Sequence, residues 1–278
     1  MIIDAHQHFW ALGRGDYGWL TPELTDLYRD FHPSDLEASL ATHGVDGAVI
    51  VQAAPTEAET AYLLGLASRW PRAKAVVGWV DLASGRAARS LERLASNPML
   101  RGIRPMIQDE PDVDWMLQPA IGRSLEAVRE CGLTLDALVR PRHLCVLKRL
   151  VDRHPDLPVT IDHGGKPEIA SGGHLTWADD IRALSERPQL TCKLSGLLTE
   201  AGARADDVDL RPYVDHLLEC FGPSRLMWGS DWPVLTMASD YGAWLDQATR
   251  LVEPLSTDEK AQVFGRTAAS FYGIKETS

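Results

Sequence analysis

Cysteine is scarce and scattered. Cys131, Cys145, Cys192 and Cys220 form no C-x-x-C pair, which excludes zinc-ribbon and thioredoxin-type sites and leaves buried reduced thiols as the reading. Long apolar runs are missing: none approaches the roughly 20 residues of a membrane span. The first ten residues, MIIDAHQHFW, lack the basic start and apolar stretch of a secretion signal. A cytoplasmic protein with no membrane partner is expected. Positive charge is in deficit, with 28 Lys and Arg against 39 Asp and Glu and a net charge of -11. Nucleic acid is therefore not an expected partner, because phosphate binding draws on a basic surface. No Walker loop occurs, and no G-x-S-x-G elbow surrounds Ser195 or Ser230, so neither a phosphate cradle nor an activated serine is indicated. Repeats, low-complexity segments and Pro/Ser-rich linkers are absent as well.

What is present is alternation. Short β-like runs lie near 2–6, 47–52, 75–81, 101–105, 133–139, 158–162, 190–195 and 226–231. Several are apolar and β-branched throughout, the pattern of strands buried on both faces of a parallel sheet. Helical patterns separate them. One spans 34–43 with Gly44 as its stop, and one opens at Thr56 with Glu59 at capping-box spacing. Others cover 84–95, 119–131, 142–154, 176–187, 208–221 and 240–251. Eight strands alternating with helices predict a closed (β/α)8 TIM barrel, with 1–278 as a single domain and extra helices after 255 packed outside or below it. The competing architecture is an open doubly wound sheet. It carries a glycine-rich phosphate turn after its first strand, whereas here that strand runs into His6-Gln7-His8.

Barrel enzymes carry their chemistry at the C-terminal ends of the strands. At the end of strand 1, His6 and His8 share a face because residues two apart in a strand do. Two adjacent imidazoles suit a divalent metal or the polarisation of a carbonyl. Strand 6 ends in Asp162-His163-Gly164-Gly165-Lys166, a polar and glycine-rich turn that lets backbone approach a ligand. Strand 8 ends in Ser230-Asp231; that carboxylate is a general base, a metal ligand or a turn residue. Arg101 and Arg104 have opposite parity in strand 4, and Arg104, at the strand end, is the candidate for binding a carboxylate or hydroxyl pair or polarising a carbonyl. Strand 7 offers Lys193 and Ser195. Phe9, Trp10, Tyr17 and Trp19 form either a stacking wall over a sugar-like ring or the core of a loop.

Taken together, the strand-1 H-x-H, the strand-6 His and the strand-8 Asp resemble the amidohydrolase superfamily. The segments IIDAHQHFW, VIVQAAP, RGIRP, DHGGKP, KLSG and GSDWP are similar to its amidohydrolase-2 branch of sugar lactonases, and the resemblance runs from Ile2 to about Tyr272. It implies hydrolysis of a cyclic ester, with Asp231 deprotonating water. His6, His8, His163 and Arg104 would stabilise the oxyanion. Lys166 and Lys193 would hold substrate hydroxyls or assist the histidines; Trp10 and Ser195 are expected in the substrate site from their own places after strand 1 and on strand 7. One departure concerns metal: many members use a strand-5 His and a strand-4 carboxylate or modified Lys, while this chain has Leu138-Val139-Arg140 and Arg104-Pro105 there. His6, His8 and Asp231 remain as ligands for one zinc ion, and the branch is also able to work with none.

The substrate class expected from the resemblance is a neutral, L-fuconolactone-like sugar lactone. Two alternatives stand beside it: a metal-dependent decarboxylase of the same superfamily, and a non-catalytic barrel that binds sugar acids.

Overall fold

Eight short parallel strands stand in sequence order, β1 to β8, in one sheet. The computed structural model describes residues 1–202, 205 and 208–275; residues 203, 204, 206, 207 and 276–278, part of the span expected as one domain, lie outside the described residues. The strands are β1 Ile3–Gln7, β2 Gly47–Val51, β3 Ala73–Gly78, β4 Leu100–Ile103, β5 Thr134–Ala137, β6 Val159–Ile161, β7 Leu190–Leu194 and β8 Leu226–Trp228. The ring is joined where Gln7 bridges Trp232: His8 N donates to Trp232 O at 2.7 Å, and Asp231 N donates to His6 O at 2.8 Å. These bonds lie at the C-terminal rim, so the joint of the barrel and two candidate site residues occupy the same few residues.

Helices fill the outer layer: α1 Pro33–Thr42, α2 Glu57–Ala67, α3 Ala87–Ala95, α4 Pro119–Glu130, α5 Pro141–Arg153, α6 Leu175–Ser185, α7 Leu197–Ala201, α8 Arg211–Phe221 and α9 Tyr241–Leu251. Thr56 caps α2 by accepting from Glu59 N, at the spacing seen in the sequence. Strand alternation divides the apolar residues into two clusters. Ala48, Ile50, Val76, Ile103 and Ile161 pack outward under the helices. Ile3, Ala5, Val49, Val51, Ala75, Val77 and Met227 form the other cluster, together with Ala268, Ala269 and Tyr272 of the C-terminal segment. That segment, α10 Thr257–Ala261 and α11 Thr267–Phe271 joined by a π turn, lies below the barrel as its floor. A Cβ on Gly265 would meet Met1 O at 2.3 Å, so the floor packs on backbone at the start of β1.

One glycine motif and the ends of three strands take their meaning from the structure. Gly13, Gly15 and Gly18 have the G-x-G-x-x-G spacing, but they lie in a loop after a short 3-10 turn at Leu12–Arg14, and no α-helix follows until Pro33. They are not a strand-to-helix phosphate turn. The apolar runs 101–105, 158–162 and 226–231 overestimate β4, β6 and β8, which end at Ile103, Ile161 and Trp228. The chain leaves the sheet there and turns its polar residues into the mouth. Among the described residues no helix is long and apolar enough to cross a membrane.

Candidate active site

The site begins with an irregularity in β1. Its pairing with β2 steps from Asp4–Ala48 to Gln7–Ile50, so β1 spends one extra residue, and such a bulge re-aims the side chains beyond it. Asp4 faces α9 and accepts from Ser230 N (2.8 Å), Ser230 Oγ (2.6 Å) and Tyr241 Oη (3.1 Å). His6, which a regular strand would place on the same face as Asp4, points instead into the barrel. Burial pushes Asp4 up to about 6, against its four hydrogen bonds. Asp4 thus ties the bulge to the residue preceding Asp231.

Strain is concentrated in the neighbouring turns. Among the described residues, His163 (φ 53°), Lys166 (φ 52°) and Asp231 (φ 60°) are the non-glycine residues with left-handed backbone. Each such conformation costs about 1–2 kcal/mol and persists only where surrounding contacts enforce it. A Cβ on Gly229 would lie 2.8 Å from His6 Cβ, so β8 can pass His6 only with glycine there.

These turns converge on Asp231. Its Oδ1 lies 3.3 Å from His8 Nε2, 3.7 Å from His6 Nε2 and 4.0 Å from His163 Nε2. Burial alone would raise its pKa, but the fields of His163, His6 and His8 and the His8 hydrogen bond reverse this and hold it well below the usual carboxylate range. His163 is lowered to about 4, chiefly by burial, so its imidazole is neutral at pH 7. His6 is lowered by burial and by the charge of Lys193. His8 Nδ1 donates to Val51 O at 2.8 Å, and His163 Nδ1 pairs with Ser195 Oγ at 2.9 Å. Arg104 Nη1 lies 3.3 Å from His6 Nε2 and 3.4 Å from Asp162 Oδ2. Its Nη2 donates to Gln52 O and, at 3.1 Å, to Gln52 Oε1. A cavity of about 250 Å³ opens above this set, and its walls include Trp19, Met106, Gln108, Leu138 and Lys166. The arrangement offers an ionised carboxylate, the neutral imidazoles of His6 and His163 and a fixed guanidinium on one small volume, the parts needed to activate water and hold an oxyanion.

The amidohydrolase family profile matches residues 3–274. The chain belongs to this family. It is 46% identical over 280 residues to an L-fucono-1,5-lactonase of Burkholderia ambifaria, covering 99% of this chain and 97% of that protein. It is 37% identical to an L-fucono-1,5-lactonase of Burkholderia multivorans, covering 99% and 96%. A solved amidohydrolase from Burkholderia multivorans with bound zinc superposes with a TM-score of 0.93 at 34% identity, covering 99% of this chain and 100% of that one.

In this amidohydrolase His6, His8, His163, Arg104 and Asp231 come together around one point, and Lys166 lines the cavity while pairing with Glu200 at 3.1 Å. Three candidate substrate contacts are fully buried. Trp10 is fully buried, with its indole donating to Arg29 O at 2.8 Å. It is loop core, and Trp19, packed edge-on against it, is the ring that reaches the cavity. The loop turns between these two residues, which residue spacing alone does not reveal. Ser195 and Lys193 are also fully buried. Ser195 Oγ lies 2.9 Å from His163 Nδ1 and Lys193 Nζ 3.1 Å from His6 Nδ1, so Lys193 stands where assisting the histidines, the other expected role, would put it.

Four contributors were not singled out from the sequence: Gln52, Asp136, Asp162 and Tyr272. Asp136 carried a usable signal. A charge within the apolar run LTLDALV is buried from both sides and must have a partner. Tyr272 had none, since the tail shows no pattern that locates it beneath the barrel.

The donor set is compatible with a metal ion. Ligand atoms of His6, His163 and Asp231 lie within 4.8 Å of one another, and imidazole with carboxylate is a donor set that zinc accepts. His8 Nε2 also lies 3.2 Å from His6 Nε2 and 3.3 Å from Asp231 Oδ1, so the expected trio of His6, His8 and Asp231 stays together, with His163 beside it, its ring centroid 4.5 Å from that of His6.

Proposed function

We propose that this amidohydrolase opens a sugar lactone of the L-fucono-1,5-lactone type. The observation that carries the reading is the ionised Asp231 beneath the cavity, ringed by three imidazoles, in a chain 46% identical to an L-fucono-1,5-lactonase over nearly its whole length. Asp231 removes a proton from water as its oxygen bonds to the lactone carbonyl carbon. Arg104, His6 and His163 stabilise the resulting oxyanion, which is where fixed donors accelerate acyl chemistry most. Collapse of the tetrahedral intermediate breaks the bond to the ring oxygen, and Asp231 returns its proton to that oxygen, leaving an open hydroxy acid. Trp19 would offer a face for the ring, and Gln108 and Lys166, which line the cavity, would meet its hydroxyls. A zinc ion held by His6, His163 and Asp231 would polarise the carbonyl and lower the pKa of water.

The test is acid release, followed by pH indicator, from a panel of aldonolactones, with EDTA-treated and zinc-supplied enzyme in parallel. Rapid release from an L-fucono-1,5-lactone-like member supports the reading. Activity lost to EDTA and restored by zinc assigns a required metal; activity indifferent to EDTA assigns the reaction to the side chains. No release from any lactone, with carbon dioxide produced from an aromatic acid, would replace it with the decarboxylase.

A further inference from the structure

Glu59 leaves the capping box that its spacing suggests. Thr56 Oγ1 accepts from Glu59 N at 3.0 Å, but the Glu59 carboxylate does not return to Thr56 N, which donates instead to Ala54 O at 2.9 Å. The carboxylate turns inward to the loop after β2, and the residue has no exposure. Ala53 N donates to both of its oxygens, at 2.9 Å and 3.1 Å, and Ala54 N donates to Oε2 at 2.7 Å. Among the described residues no other group accepts from either amide. Every contact comes from a donor, and an ionised carboxylate, which only accepts, is the form that meets them.

The carbonyls of the same two peptides serve the cavity. Both peptides are trans, and in a trans peptide N–H and C=O point in opposite directions. Across the first plane from the Ala53 N–H, Gln52 O accepts from Arg104 Nη2. Across the second plane from the Ala54 N–H, Ala53 O accepts from Trp19 Nε1 at 2.7 Å. The sheet holds Gln52 N to Val77 O at 2.8 Å, and past that bond strand pairing no longer orients the backbone. One buried carboxylate therefore fixes the rotation of two successive planes, and the far edge of each holds a side chain that lines the cavity.

We propose that Glu59 is a positioning residue: by accepting from Ala53 N and Ala54 N it aims the Gln52 carbonyl at Arg104 and the Ala53 carbonyl at Trp19, and so sets a guanidinium and an aromatic ring of the site together. The use of Arg104 on an oxyanion and of Trp19 under a ring rests on the lactone-hydrolase reading; the aimed carbonyls do not.

The indole N–H signal of Trp19, assigned by its loss in Trp19→Phe, tests this without substrate. In Glu59→Gln one acceptor oxygen remains, and the side-chain NH2 faces the other backbone amide. The Trp19 indole should then exchange with solvent roughly tenfold faster or more. In turnover, kcat should fall by roughly ten- to a hundredfold as Arg104 shifts. The rises in KM from Glu59→Gln and Trp19→Phe should combine to less than their product, because both act on the same ring. An unchanged indole signal in folded Glu59→Gln overturns the proposal whatever the enzyme does to lactones. In an enzyme active on lactones, an unmoved kcat or KM effects that simply multiply also overturn it. Should Glu59→Gln fail to fold, the wild-type protein decides: Ala53 and Ala54 amides protected from exchange like those of β2 are expected, and exchange as fast as an open loop overturns the proposal.

Discussion

Gly196 and His163 compete for one space: a Cβ built on Gly196 would lie 2.6 Å from His163 Nδ1. The glycine begins α7 with φ 65°, where any other residue is strained by about 1 kcal/mol. Its missing side chain is what lets the imidazole reach Ser195 Oγ at 2.9 Å. Gly196→Ala should displace the ring, and a misplacement of about 1 Å costs on the order of a hundredfold in kcat/KM. Kinetics on the folded fraction check this. Unchanged kcat/KM would detach the position of His163 from turnover.

Asp231→Asn should lower kcat by about 10²–10⁴-fold while leaving the fold intact. Asparagine tolerates left-handed backbone, so it accepts the φ of 60° that Asp231 adopts. Circular dichroism and melting verify the fold. Near-normal turnover in a folded Asp231→Asn would remove the residue as base.

Activity should stay level through neutral pH and fall on the acid side near pH 4, where His163 takes up a proton. His163 titrates lower in the folded chain than its ordinary 6.5, so the unfolded chain binds that proton first. The stability tied to neutral His163 is complete above about pH 6.5 and is lost as pH falls toward 4. Asp4 has the opposite sign. Its pKa is raised from 3.8 to about 6, so the folded chain holds the extra proton and this contribution fades as pH rises through that window. Melting curves of wild type and Asp4→Asn from pH 4 to 7 separate the two. The wild-type curve should fall relative to the variant as pH rises, and parallel curves would refute the Asp4 assignment.

The two tryptophans of the first loop should part ways. Trp10 is fully buried, and Trp10→Ala should cost about 3–5 kcal/mol of stability. Trp19 is 36% exposed beside the cavity. Trp19→Ala should raise KM with little change in melting temperature. A rise in KM from a well-folded Trp10→Ala, with none from Trp19→Ala, would restore Trp10 as the stacking ring.

The sequence by itself determined the barrel and the rim. Apolar strands at regular intervals have few ways to be buried on both faces, and polar residues that interrupt them at the same end mark the mouth. His6, His8, Arg104, His163 and Asp231 were legible for that reason. Tertiary structure decided what surrounds them. The bulge that sends Asp4 outward and His6 inward depends on pairing with β2 and on Ser230, far away in the chain. The meeting of Lys193 with Asp136, Asp162 and His6 joins residues from β7, β5, β6 and β1, and no periodicity along one segment encodes it. Which tryptophan lines the cavity, and that Tyr272 supports the floor, follow from how a loop and a tail fold back onto the barrel. Local pattern records which face is buried; only closure of the sheet determines which buried charges share the interior.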